Sequence, residues 1–266
     1  MDLTISEIKN ISKITKETFN IDLSYFGSES LRSRLRNVMS AYECKNGENL
    51  VLAIQAKKIT KDDFLSYFSV PYSEMFRDPA MWRKLKKELI EKVKDYKPYK
   101  IFIPSCTTGD EYYTVLVLLN ELNLLDKVKI TVSSWSDKNI ETIKDVKIST
   151  KKVELNRANY KRFEGKDELG KYFESNKLKT LQSNTKFIKV DFINSELPTN
   201  QDLVIFRNKF IYLTEDAQDK MVDKLYECLK LGGKLIIGIK ENIYLNNSVK
   251  EKFIEECDSE RIYKKK

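Results

Sequence analysis

The stretch IFIPSCTTGDEYYTVLVLLNEL, residues 101–122, decides the fold class. Its apolar run Ile101–Ile103 predicts a strand, and Asp110 and Glu111 begin a stretch with apolar residues at helical spacing. Gly109 lies in the turn between them and allows a backbone approach that a side chain would block. Such a turn brings the free N–H groups of a helix N-terminus to the end of a strand, which is a frequent place for a small ligand.

The two acids at this helix start limit the ligand. The motif GxxxxGK[ST] is absent, and Asp110 and Glu111 would repel a phosphate. Acids suit an amino group and N–H groups suit a carboxylate, so a zwitterionic amino-acid moiety would match both. The alternative is that the two acids only complement the helix dipole.

Downstream, strands and helices alternate, which predicts an α/β fold with a mainly parallel sheet and ligands at the carboxyl ends of the strands. The predicted strands are residues 100–104, 128–134, 186–191, 202–206 and the run after the Gly-Gly turn in LGGKLIIGI. The predicted helices are 82–96, 109–123, 137–145 and 215–231, after a helical region over 1–65 with Thr60 and Ser28 or Ser30 as caps. Residues 150–185 are less regular.

The composition excludes several kinds of chemistry. The 266 residues include no histidine, which removes Ser–His and Cys–His nucleophile pairs and His-ligated metal sites. The four cysteines form no CxxC pair, and we expect them to be reduced thiols in a cytoplasmic protein. The N-terminus does not resemble a signal peptide. Because no apolar run has the length of a membrane span, we expect no membrane insertion. The net charge of +8 predicts either a solvated lysine-rich surface or a basic face for an acidic protein or a nucleic acid.

Three further motifs follow one another along the chain: YSEMFRDP at 72–79, VIFRNKFIYL at 204–213 and LGGKLIIGIKEN at 231–242. Each alone could be an ordinary turn or a surface polar group. Together with SCTTGDEYYT at 105–114, and with ERIYKKK as a final short strand, they resemble the chemoreceptor glutamate methyltransferases of the CheR type.

This resemblance implies a Rossmann-like class I S-adenosylmethionine methyltransferase sheet over 82–266, an N-terminal all-helical domain over 1–70 and a reduced subdomain around 150–185. It implies S-adenosylmethionine as cofactor, no metal, and methylation of glutamate on an acidic helical receptor segment. The implied catalytic residues are Arg77 and Tyr212. The implied cofactor contacts are Ser73, Arg77, Ser105, Thr107, Gly109, Asp110, Glu111, Ser134, Asp191, Phe192, Arg207 and Asn208, and the implied receptor contacts are Arg32, Arg34 and Arg36. For the three arginines, the alternative is a solvated helix face.

The sequence also departs from the family pattern. Ser105 replaces the first loop glycine, Pro104 and Pro71 replace a small residue and an asparagine, and Ser134 stands where an acid would hold the ribose hydroxyls. The segment ESNKLKTLQSN leaves room for only a small hairpin, so we expect reduced docking of a receptor tail peptide. These departures keep two alternatives to an active methyltransferase open: a pseudoenzyme of the same fold that acts as a binding or regulatory module, and a relative with another substrate such as nucleic acid, for which only the net charge speaks.

Overall fold

The computed structural model describes residues 3–69, 73–93, 97–174, 176–243 and 247–266, and Pro71 lies outside them. Within these ranges, the strands form one seven-stranded sheet in the order β3-β2-β1-β4-β5-β7-β6. The strands are β1 (Tyr99–Ile103), β2 (Val128–Ser134), β3 (Thr185–Lys189), β4 (Gln201–Ile205), β5 (Leu229–Ile236), β6 (Phe253–Cys257) and β7 (Ile262–Lys265).

The helices cover both faces of this sheet. They are α1 (Ile5–Phe19), α2 (Ser28–Ala41), α3 (Gly47–Gln55), α4 (Lys61–Phe68), α5 (Pro79–Lys92), α6 (Asp110–Glu121), α7 (Asp137–Lys144), α8 (Val153–Phe163), α9 (Gly170–Glu174), α10 (Lys177–Thr180), α11 (Glu215–Cys228) and α12 (Asn247–Lys252). Thr60 caps α4 as predicted, since its hydroxyl accepts a hydrogen bond from the backbone N–H of Asp63. The predicted serine cap of α2 is wrong, because Gly27 holds that position and makes no side-chain bond.

Strands β1 to β5 pair in parallel, whereas β7 runs antiparallel to both β5 and β6. The predicted α/β class and the Rossmann-like sheet are therefore confirmed. The Gly-Gly turn is wrong, since β5 already begins at Leu229 and the two glycines lie inside it. Gly232 has a φ of +75°, and the register against β4 shifts between Gln201 and Leu203. The glycines thus form an irregularity within a strand instead of a turn before it.

The two faces of the sheet have separate hydrophobic clusters. One cluster joins α1–α4 and α11 to the sheet through side chains such as Phe102, Val204 and Phe206. The other joins α5, α6 and α8 to the opposite face, through Ile101, Ile103 and Ile205. Alternate residues of β1 and β4 thus bury against opposite layers. The N-terminal helices share their core with the sheet, and the division into domains over 1–70 and 82–266 stays a prediction.

The segment between α7 and β3 is helical. Among the described residues of 150–184, α8, α9 and α10 are present and no strand is found, so the small hairpin expected there is replaced by a short helix, Lys177–Thr180. The reduced docking of a receptor tail peptide stays a prediction.

Candidate active site

A cleft lies at the carboxyl ends of β1 and β4, between the sheet and the N-terminal helices. It encloses about 820 Å³, including space open to solvent. The lining residues come from the motifs at 72–79, 105–114 and 204–213, from the N-terminal helical region, and from the segments after β2 and β3: Phe26, Arg34, Ser69, Ser73, Glu74, Arg77, Ser105, Cys106, Thr107, Thr108, Gly109, Asp110, Glu111, Trp135, Phe192, Arg207, Asn208, Lys209, Tyr212 and Leu213.

The turn after β1 contains two residues with a left-handed backbone conformation, Ser105 and Gly109. Ser105 has a φ of +53°, a left-handed conformation that favours glycine and costs other residues about 1–2 kcal/mol. The N–H of Cys106 donates to the carbonyl oxygen of Ser133 at 2.7 Å, so the turn stays attached to β2. Gly109 has a φ of +86°, and a Cβ added to it would lie 2.4 Å from the Tyr113 ring. Glycine is thus required here by the backbone and by a neighbouring side chain of the protein itself.

In the segment before α5, two backbone N–H groups donate hydrogen bonds to side chains of two other helices. Thr114 of α6 accepts the N–H of Phe76 at 2.9 Å, and Asn156 of α8 accepts the N–H of Met75 at 3.0 Å. Phe76 itself is fully buried. This fixed backbone places half-buried Arg77 in the wall of the cleft. Among the described residues, no hydrogen bond or ion pair of the Arg77 guanidinium is found, so its charge is available to an anion in the cleft.

Arg207, by contrast, forms two ion pairs in the wall of the cleft. It is 2% exposed, its Nη2 lies 2.5 Å from Asp78 Oδ2, and its Nη1 lies 3.6 Å from Glu111 Oε1. Its guanidinium also packs over the Trp82 ring at 5.5 Å. Arg207 therefore connects α5, α6 and the end of β4 through one buried charge.

The two acids of the turn are both paired with cations of the chain. Glu111 Oε2 lies 3.4 Å from Lys209 Nζ, and Lys209 Nζ also donates to the carbonyl oxygen of Pro104 at 2.9 Å. Asp110 accepts from the Thr108 hydroxyl at 2.6 Å and lies 3.6 Å from Lys152. Burial nevertheless raises the pKa of the Asp110 carboxyl above its ordinary value, and Thr108 and Lys152 offset this only in part.

The loop after β4 is held by a buried carboxylate. Glu241 is 3% exposed and accepts the N–H groups of Asn208 at 2.8 Å, Gly238 at 2.6 Å and Ile211 at 3.3 Å. Burial raises the pKa of Glu241, and these hydrogen bonds act against that rise. On its other side, the loop accepts a hydrogen bond at the Tyr212 carbonyl oxygen from the N–H of Gly27 at 3.0 Å. Tyr212 is therefore fixed between the sheet edge and the N-terminal helices.

Arg34 does not share a surface with Arg32 and Arg36, so the predicted three-arginine face is wrong for Arg34. It is 8% exposed, lies at the cleft, and stacks over Phe26 at 4.8 Å and over Tyr212 at 5.0 Å. Burial lowers its pKa to about 10. The reason is helical geometry: residues two apart lie on nearly opposite sides of a helix, whereas Arg32 and Arg36, four apart, share one. Arg36 is exposed and Arg32 half-buried.

Two other predicted cofactor contacts do not line the cleft. Ser134 is 1% exposed, and its hydroxyl makes no hydrogen bond within the described residues. Because strand residues alternate, Ser133 faces the turn, where its Oγ accepts the N–H of Ser105 at 3.3 Å, and Ser134 points to the other face. Asp191 instead caps its own turn, accepting the N–H of Ile193 at 3.0 Å.

The remaining predicted cofactor residues do come together. They are Ser73, Arg77, Ser105, Thr107, Gly109, Asp110, Glu111, Phe192, Arg207 and Asn208, with Tyr212 beside them. The sequence interpretation missed the roles of Trp135, Lys209 and Glu241, although Lys209 and Glu241 lie in quoted motifs and Trp135 directly follows the predicted strand 128–134. Trp135 faces the cleft and donates from Nε1 to Ser69 Oγ at 2.8 Å, and its ring lies 5.8 Å from that of Phe192. Nothing in the sequence showed which way it would point.

Some kinds of chemistry find no support at this site. In the part of the chain that the structure describes, no group of three or more Cys, Asp or Glu side chains is arranged to hold a metal ion. Burial raises the pKa of the Cys106 thiol to about 12, so it is not a nucleophile near neutral pH. Among the same residues, no helix has the length and apolarity needed to cross a membrane.

The sheet order, the strand directions and the cleft at the strand ends define a class I S-adenosylmethionine-dependent methyltransferase fold. The profile of the family "CheR methyltransferase, SAM binding domain" matches residues 72–258, which is most of the chain. The chain therefore belongs to the CheR methyltransferase family, whose cofactor is S-adenosylmethionine, and the resemblance predicted from the motifs is confirmed.

Individual proteins are similar to this chain at low identity. "Putative methyltransferase Cher3" of Pseudomonas putida is 23% identical over 269 residues, covering 97% of this chain and 96% of that protein. A "Chemotaxis protein methyltransferase" of Borreliella burgdorferi is 22% identical over 263 residues, covering 94% of this chain and 92% of that protein. Among solved structures, the N-methyltransferase NodS of Bradyrhizobium japonicum is 11% identical, with a TM-score of 0.44 over 73% of this chain and 89% of that one.

The cleft residues fit the groups that S-adenosylmethionine carries. The carboxylates of Asp110 and Glu111 suit its ammonium group, the Arg77 guanidinium suits its carboxylate or that of a substrate, and the rings of Trp135 and Phe192 suit its adenine. Arg207 Nε is buried and has no hydrogen-bond partner among the described residues, so the cleft wall also holds an unused donor. The ribose hydroxyls lack their family acceptor, because Ser134 is neutral and points away.

Proposed function

We propose that this protein transfers a methyl group from S-adenosylmethionine to glutamate carboxylates of a partner protein. The observation that carries the proposal is Arg77: among the described residues its guanidinium has no hydrogen bond or ion pair, and it lies on a backbone held by α6 and α8, in the wall of a cleft that Asp110 and Glu111 also line. An arginine fork binds a carboxylate in a fixed orientation. Family membership supports the reaction type.

The chain can perform this reaction without histidine. A glutamate side chain has an ordinary pKa of about 4.3, so near neutral pH it is already an anionic nucleophile and needs no general base. The cofactor supplies an electrophilic methyl group on a sulfonium sulfur. The task of the protein is therefore to hold and align the two reactants and to exclude water. In this proposal Arg77 orients the substrate carboxylate, and Tyr212 and Asn208, on the loop fixed by Glu241, form the wall beside it.

The substrate class follows from charge. Arg32 and Arg36 share one side of α2, the helix whose Arg34 reaches the cleft from its other side. An acidic helical segment would be attracted to these two arginines while presenting a glutamate to the cleft. We therefore propose an acidic helical receptor segment as the partner.

One set of observations favours a second candidate, a pseudoenzyme of the same fold that binds a partner without catalysis. The ribose acceptor is missing at Ser134, and Ser105 holds a left-handed backbone at a position where the family has glycine. Both weaken a cofactor site without affecting the outer surface of α2.

The test is methyl transfer from tritiated S-adenosylmethionine to a Glu-rich helical peptide, scored as methanol released by alkali. Carboxyl methyl esters release methanol in base, whereas N-methyl groups do not. We expect base-labile label with the wild type and its loss in Arg77→Ala. Arg157→Ala is the control, since Arg157 is half-exposed on α8 and pairs with Glu154 at 3.0 Å. Equal labelling by the wild type and Arg77→Ala would contradict the assignment of Arg77, and cofactor binding without any labelling of acidic peptides would favour the pseudoenzyme.

A further inference from the structure

Lys209 is a cation of the cleft to which the sequence interpretation gave no role. It follows Arg207 and Asn208 at the end of β4, and its side chain crosses to the turn after β1. Its Nζ donates to the Pro104 carbonyl oxygen at 2.9 Å and lies 3.4 Å from Glu111 Oε2. The same nitrogen lies 5.2 Å from the centre of the Phe206 ring.

These three partners together form a binding site for a primary ammonium group. A carbonyl oxygen and a carboxylate accept its hydrogens, and an aromatic face attracts its charge. The site is sheltered, since the side chains of Lys209 and Glu111 are 19% and 12% exposed. The second oxygen of Glu111 already faces Arg207 at 3.6 Å, so the carboxylate has a cation on each oxygen.

A ligand ammonium therefore meets a site whose charge is already balanced. Glu111 has no oxygen free of a cation, and two positive groups lie within 4 Å of it. A further cation would gain little attraction there and would be repelled by Lys209. Arg207 cannot withdraw, because it is 2% exposed and also holds Asp78 at 2.5 Å. Lys209 is on a flexible four-carbon stem and can swing away.

We propose that Lys209 occupies the subsite for the ammonium group of the ligand, so that an amino-acid ligand binds only by displacing it. Lys209 is then a residue that sets affinity and specificity: it disfavours ligands with a free amino group relative to ligands that carry only the adenosine part. The proposal rests on the proposed function, since it takes an S-adenosyl amino acid as the ligand.

The test compares the wild type with Lys209→Met, which keeps the length of the side chain and removes its charge. Each protein is titrated in a calorimeter with S-adenosylhomocysteine, which has the amino-acid moiety, and with 5′-methylthioadenosine, which lacks it. A hydrogen bond to a charged group is worth about 1.5–3 kcal/mol, so we expect Lys209→Met to bind S-adenosylhomocysteine roughly ten- to hundredfold more tightly. Affinity for 5′-methylthioadenosine should change less than about threefold, which corresponds to about 0.7 kcal/mol.

Lys234→Met is the matched control, because Lys234 is 15% exposed and also pairs with carboxylates, of which Glu88 lies at 3.0 Å, but it is not in the cleft. It should leave both affinities unchanged. Unchanged or weaker binding of S-adenosylhomocysteine by Lys209→Met would overturn the proposal, as would an equal gain for both ligands. A failure of the proposed function is distinct from these results: both proteins would then bind S-adenosylhomocysteine and neither would form base-labile methyl esters.

Discussion

Arg77 and Arg207 lie in the same cleft wall, but the structure predicts opposite consequences for their removal. Arg77 has no internal ion pair among the described residues, so Arg77→Ala should change the free energy of unfolding by less than about 0.5 kcal/mol. Arg207 is 2% exposed and pairs with Asp78 and Glu111. Removing one partner of a buried ion pair costs about 3–5 kcal/mol. Because Glu111 would keep Lys209, we expect about 3 kcal/mol for Arg207→Ala.

For Arg77→Ala we expect a large loss of activity in place of a loss of stability. Arg77→Ala removes one charge-assisted contact to a carboxylate, worth about 1.5–3 kcal/mol, so kcat/KM should fall roughly ten- to hundredfold in a correctly folded protein. Arg77→Lys should recover part of that loss, since it keeps the charge but not the planar fork.

The assay is urea unfolding followed by the fluorescence of the two tryptophans: Trp82, which packs against Arg207, and Trp135, which lines the cleft. It is paired with methyl-transfer rates for each variant below its unfolding transition. A destabilisation above about 2 kcal/mol in Arg77→Ala would refute the reasoning, because Arg77 would then support the fold instead of the ligand.

The other predictions concern the backbone, the charge of the turn and the loop after β4. Gly109→Ala should destabilise the protein by about 3 kcal/mol in urea unfolding, because the φ of Gly109 is +86° and an added Cβ would lie 2.4 Å from the Tyr113 ring. The control is Gly27→Ala, at a φ of −60°, which should cost about 1 kcal/mol or less. Equal costs for the two variants would contradict this account. The affinity for S-adenosylhomocysteine should fall as the pH drops through the pKa of Asp110, which is raised above the ordinary 3.8, because the protonated acid no longer attracts an ammonium group. Binding titrations of the wild type and Asp110→Asn at a series of pH values test this, and the affinity of the variant should lack that pH-dependent step. The same raised pKa means that the contribution of Asp110 to fold stability is greatest at low pH and is lost as the pH rises from the ordinary to the raised value. Glu241→Ala should destabilise the protein by about 3 kcal/mol and lower the rate of methyl transfer, because several backbone N–H groups lose their acceptor. Glu241→Gln should lie between the wild type and the alanine variant. An alanine variant as stable as the wild type in thermal unfolding would argue against this role.

The sheet was predictable because its strands are apolar runs with clear ends. Ile101–Ile103 are buried on both faces, as their uninterrupted apolar run indicated, whereas β2 begins with buried Val128, Ile130 and Val132 alternating with less buried residues. The Gly-Gly pair was misinterpreted because glycines permit both turns and strand irregularities, and the pairing with β4 decides between the two.

The site was predictable where one motif carries several residues, and unpredictable where distant segments meet. Gly109, Asp110 and Glu111 are consecutive, so one turn places all of them at the cleft. Lys209, however, meets partners 105 and 98 residues away in the chain, which no local pattern reveals. The position of Arg34 could have been found, since two-residue spacing on a helix separates side chains by about 200°.

The orientation of Ser134 illustrates a different limit. The family resemblance implied a ligand contact at Ser134, but a strand presents successive side chains to opposite faces, and a shift of one residue reverses the assignment. In the structure Ser133 and Trp135 face the turn and the cleft, and Ser134 is buried behind them. The sequence alone did not contain that register.

The central claim is that this cleft binds S-adenosylmethionine, and the most direct measurement is calorimetric titration of the purified protein with S-adenosylmethionine and S-adenosylhomocysteine. We expect saturable binding at one site per chain with a dissociation constant near 1 μM, about −8 kcal/mol, and the same binding in the surface variant Arg157→Ala. Absence of binding heat for both ligands, in the wild type and in Lys209→Met alike, would contradict the account.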